Sequence, residues 1–195
     1  MSKMSRKDTT QWLSELLKQR LSGMGKHYAS EVTLDMGTRK VKRVDFMQFK
    51  PAGGTYISDI EKGEFICYEV KSCIEDVYSG HGLNFIGEQN YIVTTLECYK
   101  KLLFDMQHDT EGNENLQNNK FYRWYYKDKP IDVQDDFGVM IAIPESATAT
   151  DYFHNPEKYE GYEGRWKLAV AKNDYKRSRK RSTVELLFCM VRSGK

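Results

Sequence analysis

The sequence lacks several features that would each assign it to a class of protein. No stretch approaches the roughly 20 apolar residues of a membrane-spanning helix. The N-terminal run MSKMSRKDTTQWLSELLKQR has no long apolar segment of the kind that marks a secretory signal. None of the four cysteines forms a C-x-x-C pair, which argues against a zinc ribbon. We therefore expect a cytoplasmic protein with reduced thiols and no association with a membrane.

A strong charge of one sign is also missing. The net charge is only +2, so any affinity for nucleic acid must come from local patches. What is present is the composition of a globular domain. The 195 residues, of which 39% are hydrophobic, are enough to bury one sizeable core.

Apolar periodicity divides the chain into helices and strands. Helical spacing predicts helices over 8–22, 96–106 and 183–193, with a short helix near 73–79. Strands are predicted at 28–36, 41–49, 64–71, 89–95, 137–144 and 165–172. The remaining segments are predicted to be irregular chain at 50–63 and 145–164 and a polar surface insertion at about 105–135. This order predicts one α/β domain over 1–195, with a mixed central β-sheet flanked by α-helices.

One predicted strand carries two opposite charges in an otherwise apolar run. In 65-FICYEVKS-72, Glu69 and Lys71 are two residues apart, so the alternation of strand side chains puts them on one face. Asp45 is embedded in the preceding predicted strand. If the two strands pair, the carboxylates of Asp45 and Glu69 converge at one end of the sheet. Taken alone, E-x-K is most often a solvated strand face with a surface ion pair, and that alternative stays open.

Such a group has a chemical logic for the hydrolysis of phosphodiester bonds. Two adjacent carboxylates repel each other unless a cation lies between them. Mg²⁺ commonly takes one or two carboxylates together with water and a substrate phosphate. Lys71 on the same face could orient or deprotonate the attacking water and stabilise charge on the phosphate. The expected cofactor is therefore Mg²⁺, with Mn²⁺ as a substitute.

Three stretches carry a resemblance to a known family. The runs 31-EVTLDMGTRKVKRVDFMQF-49, 65-FICYEVKS-72 and 89-QNYIVTT-95 resemble the core of the PD-(D/E)XK nuclease superfamily. The similarity is greatest to its small MmcB-like DNA repair proteins of phages and mobile elements. The segments 138–144 and 177–193 are similar to the closing strand and final helix of that group. The resemblance implies a restriction-endonuclease-like core.

The resemblance also implies roles for individual residues. Asp45 and Glu69 would be metal ligands and Lys71 the catalytic lysine. Glu31 matches an acidic position just upstream of the Asp45 strand and would complete the metal site. Val44 stands where the name of the motif has a proline, but that position varies within the superfamily.

Further residues are candidates for contacts with DNA. His81 lies between two glycines, where the backbone can approach a phosphate closely. Gln89 begins the strand that follows the short helix. The only dense basic cluster, which would grip phosphates, consists of Lys172, Lys176, Arg177, Arg179, Lys180 and Arg181. The alternatives are a loop histidine, a strand-capping amide and a solvated linker.

The sequence therefore predicts an Mg²⁺-dependent deoxyribonuclease that acts in DNA repair, recombination or the maintenance of a phage or mobile element. The alternative is a non-catalytic DNA-binding or protein-inhibiting accessory module on the same fold. Nucleases of this superfamily are often dimers, so the resemblance leaves a homodimer open.

Overall fold

The computed structural model describes residues 4–54, 56–79, 84, 86–108 and 137–193. In chain order its elements are α1 (Arg6–Leu21), β1 (His27–Leu34), β2 (Lys42–Lys50), α2 (Ile57–Glu61), β3 (Glu64–Val70), α3 (Ile74–Tyr78), β4 (Gln89–Thr94), α4 (Leu96–His108), β5 (Gly138–Pro144), α5 (Ala149–His154), a 3₁₀ helix (Pro156–Tyr159), β6 (Trp166–Lys172) and α6 (Thr183–Ser193). None of the helices in these ranges is long and apolar enough to cross a membrane.

The strands of the described chain form one open mixed sheet with the spatial order β1-β2-β3-β4-β5-β6. β3 and β4 are parallel, as are β4 and β5, whereas the other neighbouring pairs are antiparallel. Parallel neighbours need a crossover connection, and α3 lies in the one between β3 and β4. The predicted α/β class with a mixed central sheet is confirmed.

Helix α1 covers one face of the sheet. Its buried residues Leu13 and Leu17 lie one helical turn apart, so they share a face. They pack against Ile66, Tyr68 and other apolar side chains that alternate along the strands. Burying these side chains fixes which residues of β3 point towards α1.

The opposite face carries two separate apolar clusters. Leu186 of α6 packs with Met47 and Phe65 over the β1–β3 half of the sheet. Leu102 of α4 packs with Ile92 over the β4–β5 half. The seam between these two clusters runs along β3 and β4.

The structure differs from the sequence-based expectation in two segments that we predicted to be irregular. The segment 50–63 contains α2, and 145–164 contains α5 and the 3₁₀ helix. These helices have four to six residues, too few for apolar periodicity to reveal them. Thr148 caps the N-terminus of α5, because its side chain accepts a hydrogen bond from the Asp151 backbone N–H at 3.1 Å.

Two further expectations concern the thiols and the surface insertion. All four cysteines, each within the described ranges, are free. Helix α4 continues to His108, and the rest of the predicted insertion at about 105–135 lies outside the described residues.

Candidate active site

Asp45 lies where the pairing of β2 and β3 ends. The antiparallel register runs from Lys50 opposite Glu64 to Phe46 opposite Tyr68. One residue beyond it, the Asp45 carboxylate Oδ2 accepts a hydrogen bond from the Val70 backbone N–H at 2.9 Å. The Asp45 side chain thus accepts the hydrogen bond that a backbone carbonyl of β2 would accept in a regular sheet. This bond holds the carboxylate against β3.

An irregularity in β2 accounts for this orientation. Val44 and Met47 both pack in the cluster under α6, although strict alternation would place them on opposite faces. Asp45 lies inside this break. Its neighbour across the strands, Glu31, has a left-handed backbone with φ of 54°, and Ser30–Phe46 and Val32–Val44 pair on either side.

Glu69 is the most buried of the three acids predicted for the site, Asp45, Glu69 and Glu31. Its side chain lies in the seam between the two clusters, beside Cys67, Asn90 and Ile92, and the residue is only 5% exposed. Among the described residues, neither of its carboxylate oxygens has a hydrogen-bond partner of good geometry, although the side chain and the backbone N–H of Asp45 lie close enough to affect its pKa. A buried carboxylate without donors is costly, so this position needs either a proton or a cation.

The pKa of Glu69 reflects this environment. Burial, and then the negative charge of Asp45, raise the pKa of the Glu69 carboxyl to about 10, while the positive charge of Lys71 opposes the rise. A carboxyl with this pKa keeps its proton at neutral pH when no cation is bound.

Lys71 is fixed immediately after β3. Its backbone N–H donates to the Val93 carbonyl at 2.9 Å, and its own carbonyl accepts from the Thr94 hydroxyl at 2.6 Å. The residue is 8% exposed, and its charge acts on Glu69. The structure therefore brings Asp45, Glu69 and Lys71 together, and the burial of Glu69 contradicts the alternative of a solvated strand face.

The residues fit a Mg²⁺ ion with two protein ligands. No group of three or more His, Cys, Asp or Glu side chains that could hold a metal occurs in the described part of the chain. Mg²⁺ does not require one, since one or two carboxylates with water and substrate phosphate are usual. The unpaired, buried oxygens of Glu69 are the groups that such a cation would satisfy.

Glu31 does not join this group. Its carboxylate forms an ion pair with Arg43 Nε at 2.9 Å, and its side chain is 60% exposed. The two carboxylates of Asp45 and Glu69 are therefore the acids that the structure brings together.

Gln89 lies at the opposite end of β4 from Lys71. Its side-chain amide donates to the Asp174 carbonyl at 3.3 Å, and Gln89 pairs with Ile66 rather than with Glu69. The structure thus gives it the contacts of a strand-capping amide. His81 lies outside the described residues.

Most of the predicted basic cluster is paired with acids of the same chain. Lys176 binds Glu64 at 2.7 Å. The other contacts are Arg177 with Asp174, Arg179 with Glu88, Arg181 with Asp35 and Glu185, and Lys172 with the Phe137 carbonyl. Lys180 is exposed. Phosphate binding by this cluster stays a prediction, and it would have to compete with these internal partners.

Sequence reasoning missed one positioning residue and one residue that lines the cavity. Thr94 is fully buried and orients Lys71 through its hydroxyl. Asn90 is 4% exposed and lines the small cavity beside Glu69. The available signal was the same as for Glu69, a polar residue inside an apolar strand.

The fold and the site define an α/β protein with a six-stranded mixed sheet and a buried acidic pair beside a lysine. No family model, curated protein or solved structure matches this chain.

Proposed function

We propose that the protein is a metal-dependent deoxyribonuclease of the PD-(D/E)XK superfamily, of the MmcB-like DNA repair type, with a restriction-endonuclease-like core. The observation that carries the proposal is that Asp45 and Lys71 lie close to the buried carboxylate of Glu69. The two oxygens of that carboxylate have no hydrogen-bond partner of good geometry in the described chain. The order of elements supports it. The strand with Asp45 is followed by an antiparallel strand with Glu69, a short helix and a parallel strand.

The roles of the residues follow from their positions. Asp45 and Glu69 would hold Mg²⁺ or Mn²⁺, which supplies Lewis-acid stabilisation of charge on the scissile phosphate when bound. The Val70 N–H fixes the Asp45 carboxylate. Lys71 would orient the attacking water and present N–H donors where negative charge develops on the phosphate. Thr94 would keep Lys71 in place.

The proposal is tested by DNA cleavage with Mg²⁺ or Mn²⁺ on single-stranded, duplex and nicked substrates. Asp45→Asn and Lys71→Ala should each reduce cleavage by about 100-fold or more, the usual size of a lost acid–base or charge-stabilising group. Glu61→Gln and Lys62→Ala are matched controls, because both residues are exposed on or beside α2. If the wild-type protein cuts none of these substrates, the enzyme proposal is wrong. If both site variants cut like the controls, the site assignment is wrong.

A second candidate function rests on the burial of Glu69. A carboxyl with a pKa raised to about 10 is neutral at physiological pH, so the acidic pair is also compatible with a structural, metal-free role. The protein would then be a non-catalytic DNA-binding or protein-inhibiting module. Calorimetry separates the two functions, since only the nuclease should bind Mn²⁺ in a manner that Asp45→Asn abolishes.

A further inference from the structure

Two partly buried tryptophans form an aromatic wall that lines two clefts. Trp12 of α1 and Trp166 of β6 meet edge to face, with ring centroids 5.4 Å apart. Tyr152 and Tyr162 pack against Trp166 at 5.9 and 5.8 Å. Both tryptophans are only partly buried, and both line each of the two clefts. Each tryptophan therefore presents part of its ring to both clefts, while the rest packs against the apolar cluster under α1.

The first cleft opens at the ends of β3 and β4. It has a volume of about 730 Å³ and is lined by residues that follow β3 and β4, including Ser72, Cys73 and Thr95. Ser72 directly follows Lys71 in the chain. A ligand held in this cleft would contact the chain directly after Lys71, although Asp45, Glu69 and Lys71 are not among the described residues that line it.

The rim of the first cleft carries equal numbers of basic and acidic side chains in two ion pairs. Arg6 pairs with Glu75 at 3.4 Å, and Lys101 pairs with Glu97 at 3.1 Å. All four side chains are more than half exposed. These pairs are weak and can exchange for a ligand phosphate at small cost.

The second cleft carries excess positive charge. It measures about 770 Å³, and its lining includes four basic side chains against two acidic ones: Arg20, Lys26, Arg165 and Lys167 against Glu15 and Glu145. Three of the basic groups donate to backbone carbonyls, namely Arg20 to Leu168, Lys26 to Arg20 and Lys167 to Glu145. A carbonyl accepts the hydrogen bond but does not cancel the charge.

One of the two acids in this cleft has a cation of its own nearby, because Glu15 forms a partly exposed ion pair with Lys18 at 3.0 Å. The second cleft differs in this respect from the basic cluster of residues 172–181. Carboxylates compensate most of the cations of that cluster, whereas backbone carbonyls leave the positive charge of the second cleft in place. The second cleft is therefore the better site for phosphates.

We propose that single-stranded DNA binds across both clefts, with its phosphates in the second cleft and unpaired bases stacked on Trp12 and Trp166. Aromatic stacking next to a positively charged groove is the usual way in which single strands are bound. Bases within a duplex do not expose their faces to such rings. This inference rests on the proposed nuclease function for the fate of the strand and names its substrate class as single-stranded DNA.

The test measures binding without cleavage. Fluorescence anisotropy in EDTA compares a labelled dT oligonucleotide with a blunt duplex of the same length. The wild-type protein should bind the single strand more tightly. Trp166→Ala should weaken that binding by about 10-fold, since stacking on one aromatic ring contributes about 1–3 kcal/mol. The double variant Arg165→Glu/Lys167→Glu should weaken it and flatten its salt dependence.

Controls separate binding from folding. Arg165 and Lys167 are exposed, so their double variant keeps the inference testable if Trp166→Ala loses stability in thermal unfolding. Lys62→Glu, an equally exposed charge reversal outside both clefts, should bind like the wild type. Equal or tighter binding of the duplex, or unchanged binding by the double variant, would overturn the inference.

The outcomes also distinguish this inference from the proposed function. Cleavage of DNA that is insensitive to Trp166→Ala and to the double variant overturns the single-strand site and leaves the nuclease standing. Binding of the single strand that depends on these residues, without cleavage of any substrate, supports the single-strand site and removes the nuclease.

Discussion

Replacing Glu69 with glutamine should stabilise the metal-free protein at neutral pH while abolishing the nuclease activity proposed above. The wild-type carboxyl is buried, and neither oxygen has a hydrogen-bond partner of good geometry among the described residues. A glutamine amide has nearly the same size, cannot ionise, and can donate towards the neighbouring Asp45 carboxylate. The substitution thus removes an acid whose ionisation the fold opposes.

The sign and size of the effect follow from the pKa of Glu69. Its ordinary value of 4.5 rises to about 10 in the folded protein. Between these values the unfolded chain has released the proton that the folded protein keeps, so stability falls as pH rises. At pH 7 the loss is at most about 3 kcal/mol, since each pH unit above 4.5 contributes about 1.4 kcal/mol. Below pH 4.5 both states are protonated and the loss disappears.

Urea denaturation in EDTA at pH 5, 7 and 9 measures this difference. The advantage of Glu69→Gln should be small at pH 5, reach up to about 3 kcal/mol at pH 7, and grow further at pH 9. The exposed Glu61→Gln should show no pH-dependent gain. A variant advantage that does not grow with pH, or a variant less stable than the wild type throughout, would refute the reasoning.

Under the proposed function, saturating metal should largely cancel the advantage of Glu69→Gln at pH 7. Mg²⁺ needs ionised carboxylates, so it should stabilise the wild type by about 3 kcal/mol at a hundred times its dissociation constant. It should leave Glu69→Gln unchanged.

Two further predictions concern the packing at the opposite end of β3 and β4 from the site. Arg179→Ala should lower the free energy of unfolding by about 3 kcal/mol, because it removes the cation that pairs with the largely buried Glu88 carboxylate and leaves that carboxylate only the Phe65 N–H as a partner. The affinity of this variant for oligonucleotides should change little. Gly87→Ala should lower the free energy of unfolding by about 1–3 kcal/mol, because a Cβ there would lie 2.6 Å from the Phe65 carbonyl oxygen. Urea denaturation measures both losses. Lys62→Ala is the exposed control, and a stability equal to the control for either variant would contradict its structural role.

Much of the fold could be predicted from local pattern. Helix α6 begins and ends where the apolar spacing of 183–193 predicted. The strand predicted at 64–71 is β3 to within one residue. These elements are long enough for a period of 3.6 or 2 to repeat, and that repetition is what burial on one face requires. The helices α2 and α5 were not predicted, because one or two helical turns are too short for the apolar spacing to repeat.

The candidate site likewise has a part that local pattern predicted and a part that it did not. Alternation along β3 was enough to place Glu69 and Lys71 on one face of the strand. The approach of Asp45 was predicted only on the condition that the strands pair. The contact itself depends on the break in alternation between Val44 and Met47, which packing under α6 decides.

The sequence by itself determined the order and type of the long elements and the placing of Glu69 and Lys71 on one face of a strand. The tertiary structure decided where charge remains. Acids distant in the chain, such as Glu88 and Asp35, neutralise Arg179 and Arg181, so the densest basic run does not carry the strongest uncompensated charge. Compensation of charge depends on distance in space, and a linear sequence does not contain those distances until the sheet has formed.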